Sequence, residues 1–383
     1  MRQAIQQLPA SRIREVANAG LGRSDVLAFW FGESDEVTPI EVREAAAQSL
    51  MLGETFYCHN LGLPELRQGL AAYCSALHRP VEVDRIAITS AGVTALMLAM
   101  QMLAGAGDEV VVVVPVWPNL TAQPAILGAN VRRVSLRPRA DGAWTLDLDA
   151  LLAAVTPATR VLLINAPNNP TGWTLTRNEQ QALLAHCRKT GTWIVADEVY
   201  ERVWFGTGRA APSFLDVAEP EDRLVVAQSF SKTFLMTGWR LGWLVLPPGH
   251  LDAIGKLIEF NSSCAPVFVQ RGALAALALE ADFVPGLVER LRRGRDQLIE
   301  GLQDLPGVRV ARPDGGMYAF FRVEGQDNSL AFAKHLVAAH GLGLAPGAAF
   351  GDEAEGWLRW CFATREPARL TEGLARLARA LDL

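Results

Sequence analysis

Five consecutive valines, Val110 to Val114, stand between Glu109 and Pro115. An unbroken β-branched run reads as a strand covered on both faces, because a half-exposed strand would alternate apolar with polar. Six further short segments carry strand signals: Arg85 to Thr89, Asn130 to Ser135, Arg160 to Asn165, Thr192 to Asp197, Leu224 to Ser229 and Arg240 to Leu246. Helical periodicity lies between them, as in Val93 to Leu103 and Glu179 to Arg188. The alternation predicts an α/β domain, a large, mostly parallel sheet sandwiched by helices. From about Leu274 the pattern changes to a long helix (Pro285 to Leu302), short strands at Val308 to Arg312 and Met317 to Val323, and a terminal helix, Leu370 to Leu383. This is an α+β style. The expected division is a large domain over 43–275 and a smaller one built from 1–42 and 276–383. No internal repeat or low-complexity segment is present.

Composition narrows the classes. With 383 residues and 50% hydrophobic content, the chain has room for two domains. The net charge of −5 gives no general attraction to nucleic acid. The cluster Arg290-Leu291-Arg292-Arg293-Gly294-Arg295 reads as a solvated helix face. No apolar run reaches spanning length, and Met1 to Arg14 is too polar for a secretory leader, so no membrane partner is expected. Cys58, Cys74, Cys187, Cys264 and Cys361 lack metal-ligand spacing and read as reduced core thiols of a cytoplasmic chain; no metal is expected.

Lysine is scarce: Lys189, Lys232, Lys256 and Lys334 are the only four. Lys189 ends a helix pattern, where a cation complements the dipole. Lys256 and Lys334 sit in amphipathic patterns and read as solvated. Lys232 differs. It lies in Ser229-Phe230-Ser231-Lys232-Thr233, with Gly238-Trp239-Arg240-Leu241-Gly242 close behind. A lone amine among small hydroxyls suits a nucleophile approached by a rigid phosphorylated aldehyde.

Other polar residues fall at predicted strand ends, where open α/β sheets bind ligands. Ser90-Ala91-Gly92-Val93-Thr94 is either a tight βα turn or an anion site at a helix start. Asn165-Ala166-Pro167-Asn168-Asn169-Pro170-Thr171-Gly172 makes a rigid turn unaided. Asp197, in Ala196-Asp197-Glu198-Val199-Tyr200, could cap a helix or serve a site. Together they match what a pyridine aldehyde requires: a lysine, an acid for the ring nitrogen, donors for the phenolate and a phosphate cradle.

On these motifs the chain resembles the fold-type I pyridoxal-phosphate enzymes, specifically class I and II aminotransferases. Gly62-Leu63-Pro64-Glu65-Leu66-Arg67 and Pro346-Gly347-Ala348-Ala349-Phe350-Gly351 add to the match, which runs from near Gly32 to Arg359. The resemblance implies a pyridoxal 5'-phosphate cofactor and three catalytic residues, Lys232, Asp197 and Tyr200. Lys232 would hold the cofactor as an internal aldimine and then move a proton between Cα and C4′. Asp197 would pair with the pyridinium nitrogen, with its own pKa depressed. Asn169 and Tyr200 would donate to O3′, and Trp117 would stack on the ring. The backbone of Ala91, Gly92 and Val93, with Ser229, Ser231 and Arg240, would hold the phosphate. Tyr57 would reach the neighbouring subunit's phosphate, which implies a homodimer. Arg359 would grip the substrate carboxylate, with Gly32 and Asn169 beside it. Ser34 replaces the proline of the commoner Gly-Glu-Pro-Asp pattern.

The function implied is a ping-pong transfer of an amino group from an L-amino acid to a 2-oxo acid, with glutamate and 2-oxoglutarate as the expected partner pair. Trp30, Phe31, Tyr318 and Phe350 suggest an apolar or aromatic substrate side chain, or else pack a domain interface. A C–S β-lyase on the same scaffold is the alternative, since the same residues serve carbanion formation. A ligand sensor descended from such an enzyme is set against the intact catalytic set.

Overall fold

A computed structural model describes all residues, 1–383. Seven strands form the main sheet: β1 (Ile86–Thr89), β2 (Glu109–Val114), β3 (Asn130–Ser135), β4 (Thr159–Asn165), β5 (Trp193–Asp197), β6 (Leu224–Ser229) and β7 (Gly242–Val245). Their spatial order is β1-β7-β6-β5-β4-β2-β3. Only β7 runs antiparallel, to both β1 and β6. All other pairings are parallel. The valine run explains itself: Val111 and Val113 enter one apolar core, while Val110, Val112 and Val114 enter the other. Each is essentially inaccessible to solvent, which contributes on the order of 1.5–2 kcal/mol per side chain.

Register places the chemistry along one edge. Asn165 at the end of β4 pairs with Asp197 at the end of β5, and Asp197 pairs with Ala227, two residues before the end of β6. Gly242, opening β7, lies between Ser229 of β6 and Thr89 of β1. The helix Gly92–Leu103 starts directly above this edge.

Four antiparallel strands make a second sheet: β8 (Val308–Val310), β9 (Tyr318–Val323), β10 (Ala345–Pro346) and β11 (Trp357–Cys361), ordered β8-β9-β11-β10. Helices Glu280–Gln303, Ser329–His340 and Pro367–Ala380 belong to this part of the chain. Leu27–Ala28 pairs in parallel with Leu342–Gly343, tying the N-terminal arm to it. No helix is long and apolar enough to cross a membrane.

Three expectations need correction. The strand predicted from Arg240 begins at Gly242; Arg240 itself is left-handed (φ 55°) after the turn Thr237–Trp239. The arginine cluster is solvated only in part, since Arg293 is exposed and Arg290 and Arg292 are half-exposed, whereas Arg295 is buried. Arg290 pairs with Glu36, and Arg295 is buried beside Asp296 with its guanidinium 4.4 Å from the Phe205 ring centre. The periodicity missed this because long aliphatic stems let an arginine cross an apolar surface to a partner. Of the five thiols, Cys74, Cys187 and Cys361 are buried, but Cys58 and Cys264 are only half-buried, on loops outside the core.

Candidate active site

A cavity of about 300 Å³ opens at the polar edge of the large sheet. Lys232 projects into it from the short helical turn Phe230–Thr233, which Ser229 caps by accepting from the Ser231 N–H at 3.1 Å. The Lys232 ammonium donates to the Gly32 carbonyl at 2.6 Å, and no carboxylate is ion-paired with it. Burial pulls its pKa down to about 8, with the Cys361 side chain opposing and Arg359 reinforcing the shift. An amine in that range is partly free base at neutral pH and can act as nucleophile and proton carrier.

Asp197 is 2% exposed and accepts one hydrogen bond, from the Val199 N–H at 3.3 Å. Burial raises the carboxyl to about 7, against the smaller opposing effects of that N–H and of Lys232. A carboxylate removed from water with a single backbone donor is held charged only by a cation brought to it.

Arg359, on β11, is 2% exposed and also lacks a carboxylate. It donates to Asn169 Oδ1 at 2.8 Å and to the Trp30 carbonyl at 2.5 Å, and its Nε has no partner. Its guanidinium lies 4.3 Å from the centre of the Tyr318 ring. With Asn169 Oδ1 taken, the Asn169 amide N–H₂ is left as a donor at the cavity wall. Asn165 sets this up, since its Oδ1 accepts the Asn169 N–H at 2.8 Å while its own amide donates to the Asp197 carbonyl. The hydroxyls of Tyr200 and Tyr318 are 2.6 Å apart. Burial pushes Tyr318 up to about 12 and Tyr200 well above its ordinary value, so both are neutral phenols near pH 7.

The opposite end of the cavity suits an anion. Ala91 precedes the helix Gly92–Leu103 with φ 137°, a conformation side chains rarely adopt, and the helix start at Gly92 and Val93, whose first N–H groups have no partner within the helix, lines the cavity. A Cβ on Gly92 would lie 2.9 Å from Ser229 Cβ, so only glycine allows this approach. Ser229 and Ser231 join at 2.9 Å, and Arg240 reaches the same rim without an ion pair, donating to the Thr237 carbonyl. Val93 and Trp117 complete the wall.

Lys232, Asp197, Asn169, Tyr200, Trp117, Gly92, Val93, Ser229, Ser231, Arg240 and Gly32 thus line one cavity; Ala91 supports it through backbone and Arg359 stands behind Asn169. Tyr57 does not join them; it is 88% exposed on a separate loop. Among the four suggested aromatics, only Tyr318 lines the cavity, whereas Phe350 is packed in the core and Trp30 and Phe31 border a different surface groove. Sequence reasoning passed over Asn165, Thr237 and the link between the two tyrosines. The Asn165 signal was present, since it opens the Asn-Asn-Pro segment.

The donor set fits pyridoxal phosphate: an amine for the aldehyde, an under-partnered acid for the ring nitrogen, an amide and a phenol for the ring oxygen, and a helix start with serines and an arginine for the phosphate. Fold and cavity together define an amino-group-transferring enzyme, an aminotransferase. The chain belongs to the family described as aminotransferase class I and II, whose model matches residues 25–377. It is 31% identical to an aspartate aminotransferase of Pyrococcus horikoshii, over 97% of this chain and 95% of that one. An arginine–pyruvate transaminase of Pseudomonas aeruginosa is 33% identical, over 88% and 85%. The crystal structure of an aspartate aminotransferase from Thermotoga maritima superposes with a TM-score of 0.89 at 32% identity, covering 100% of both chains. These relatives are transaminases, and the C–S lyase alternative is not favoured.

Proposed function

We propose that this enzyme moves the amino group of an L-amino acid with an uncharged side chain to a 2-oxo acid, in two half-reactions at the cavity around Lys232. When bound, pyridoxal 5'-phosphate supplies an aldehyde carbon for the amine and a protonated ring that accepts the electron pair released at Cα. The chain's residues do the rest. Lys232 takes the Cα proton and would return it to the carbon on the far side of the shared nitrogen. Asp197 keeps the ring nitrogen protonated, and the cation thus brought to it relieves its burial. Asn169 and Tyr200 donate to the ring oxygen, and Trp117 covers the ring face. The N–H groups after Ala91, at Gly92 and Val93, act with Ser229, Ser231 and Arg240 on the phosphate. Arg359 receives the carboxylate that every amino acid and 2-oxo acid presents, with Gly32 closing over it.

The observation that carries this reading is the trio of cations, Lys232, Arg240 and Arg359, around one cavity without an ion-paired carboxylate among them. Arg240 stands exposed at the rim, but Arg359 is buried and Lys232 half-buried, and a folded chain leaves such cations without a counter-charge where a ligand supplies the anions. Two of them serve cofactor and α-carboxylate, and Lys232 serves the chemistry, so no cation of this cavity remains for a side-chain carboxylate. That supports an uncharged side chain. The rim of exposed apolar groups at Met51, Leu52, Phe56 and Tyr57 supports a homodimer in which Tyr57 serves the partner's site. The operative division for closure is the large unit 43–275 against 1–42 with 276–383.

The test is single-turnover spectroscopy on enzyme loaded with pyridoxal phosphate. Uncharged L-amino acids should convert the cofactor to its amine form, and a 2-oxo acid should restore it, without release of ammonia. Ammonia and pyruvate from a cysteine conjugate, with no amine transfer, would overturn the assignment.

A further inference from the structure

Tyr318 carries a hydroxyl that packing does not require. It sits in the apolar run Tyr318-Ala319-Phe320-Phe321 of β9, is 1% exposed, and lies with its ring against Arg359. A phenylalanine would make the same ring contact with Arg359. The hydroxyl is lodged between two groups. A Cβ built on Gly32 would come within 1.9 Å of it, so it occupies the space that glycine leaves open. On the other side stands Tyr200, at 2.6 Å, the only hydrogen-bond partner that either phenol has.

A buried hydroxyl is costly unless bonded, and each phenol has a single proton to give. If Tyr200 spent its proton on Tyr318, it would have none for a group in the cavity. Tyr318 has no other acceptor within reach. The arrangement that satisfies both is a relay.

We infer that Tyr318 is a positioning residue for Tyr200: its hydroxyl donates to the Tyr200 oxygen and so turns the Tyr200 proton into the cavity, towards the cofactor's ring oxygen. This rests on the proposed role of Tyr200. A phenol that accepts one hydrogen bond becomes a stronger donor in the next, so the relay strengthens the bond to the ring oxygen. Electron withdrawal at that oxygen favours loss of the proton from the nitrogen joining the cofactor to Lys232. Tyr318 therefore keeps that nitrogen ready at a lower pH than Tyr200 alone would.

The readout is the pH midpoint of the visible absorbance band of pyridoxal phosphate on the enzyme. Tyr318→Phe should raise the midpoint by roughly 0.5 unit, the scale expected when one bond of a chain loses its reinforcement. Tyr200→Phe should raise it further, and adding Tyr318→Phe to Tyr200→Phe should change nothing more. Replacing Tyr318 with 3-fluorotyrosine, a stronger donor of the same shape, should move the midpoint down. An unchanged midpoint in Tyr318→Phe, or a shift that persists undiminished without the Tyr200 hydroxyl, would overturn the relay. Loss of the band from the unmutated enzyme would instead remove the cofactor assignment on which the relay rests.

Discussion

Asp197 and Glu198 are neighbours in the chain, both 2% exposed, and they end in opposite environments. Asp197 faces the cavity with one backbone donor. Glu198 turns away from it, accepting from the Ser213 hydroxyl at 2.5 Å and the Phe214 N–H at 3.0 Å. Around Glu198 the network continues: His78 bridges Glu201 and Asp216 at 3.0 Å each. The same contrast separates two buried arginines. Arg202 has Glu280, the Tyr73 hydroxyl and the Arg209 carbonyl, whereas Arg359 has neutral partners and an orphaned Nε. One region is internally complete, and the other is complete only with ligands. Buried charge alone therefore does not mark a site, and neither does a raised pKa, since burial and Glu201 lift Glu198 to about 8; a buried charged group short of hydrogen-bond partners beside a cavity does.

The largest effect that should follow is on Lys232. Lys232→Ala should lower turnover on the order of 10⁴-fold, the scale of a lost proton-transfer group, while thermal unfolding shows a folded chain. Borohydride labelling of any lysine other than Lys232 would break the comparison at its centre.

Arg359→Leu comes next. It should reduce kcat/KM by about 10²- to 10³-fold for every carboxylate substrate, the scale of a lost buried charge pair. Stability of the cofactor-free chain should change by only about 1 kcal/mol, because loss of the donors to Asn169 Oδ1 and the Trp30 carbonyl is offset by removal of a buried cation that has no counter-ion. Arg202→Leu should do the reverse, destabilising by about 3 kcal/mol, because it strips the Tyr73 hydroxyl of its partner and leaves Glu280 with only the more exposed Arg209. A loss confined to dicarboxylic substrates would reassign Arg359 to side-chain selection.

How much of this could be read beforehand follows the same line. The sheet was legible because β-branched runs and helical periods are local. The residues at its edge were legible because each ends a strand in a segment with its own signature: Lys232, Asp197, Asn169 and the turn at Ala91. What stayed hidden depends on contacts between distant segments. Arg295 looks like any charge in a run until it meets Phe205, and Tyr318 looks like a core aromatic until it meets Tyr200, 118 positions away. Asp197 shows the same dependence on company. A resemblance describes the carboxyl in the company of its cation, whereas the chain's own burial acts the other way.

His78 sharpens the paired side of the comparison. Burial lowers its pKa, but Asp216 and Glu201 outweigh that and lift it from 6.5 to about 10. A raised histidine pKa contributes stability that is full below the unfolded value and lost as pH climbs through the folded one. His78→Gln should therefore cost about 3 kcal/mol near pH 6, with the difference from wild type shrinking between pH 6.5 and about 10. Urea titrations across that window would measure it. A constant difference would mean that the imidazole acts through shape and not charge.

Asp197 sets the smallest effect, with the same direction of slope in a lower pH window. Its carboxyl titrates at 3.8 in an ordinary setting and at about 7 in the folded chain, so the cofactor-free fold prefers the protonated form. Stability from this group is full below the ordinary value and is lost as pH rises to about 7. Asp197→Asn removes a charge that the empty fold resists. At pH 8 the cofactor-free variant should be more stable than wild type by on the order of 2 kcal/mol, and the two should converge near pH 4. Saturating pyridoxal phosphate should reverse the ranking, because the ring nitrogen supplies the partner that asparagine cannot use. Thermal unfolding with and without cofactor at both pH values decides it. If Asp197→Asn destabilises the empty chain at pH 8, then Asp197 already has its counter-charge within the fold, and the division between a completed cluster and a ligand-dependent cavity fails at the residue that defines it.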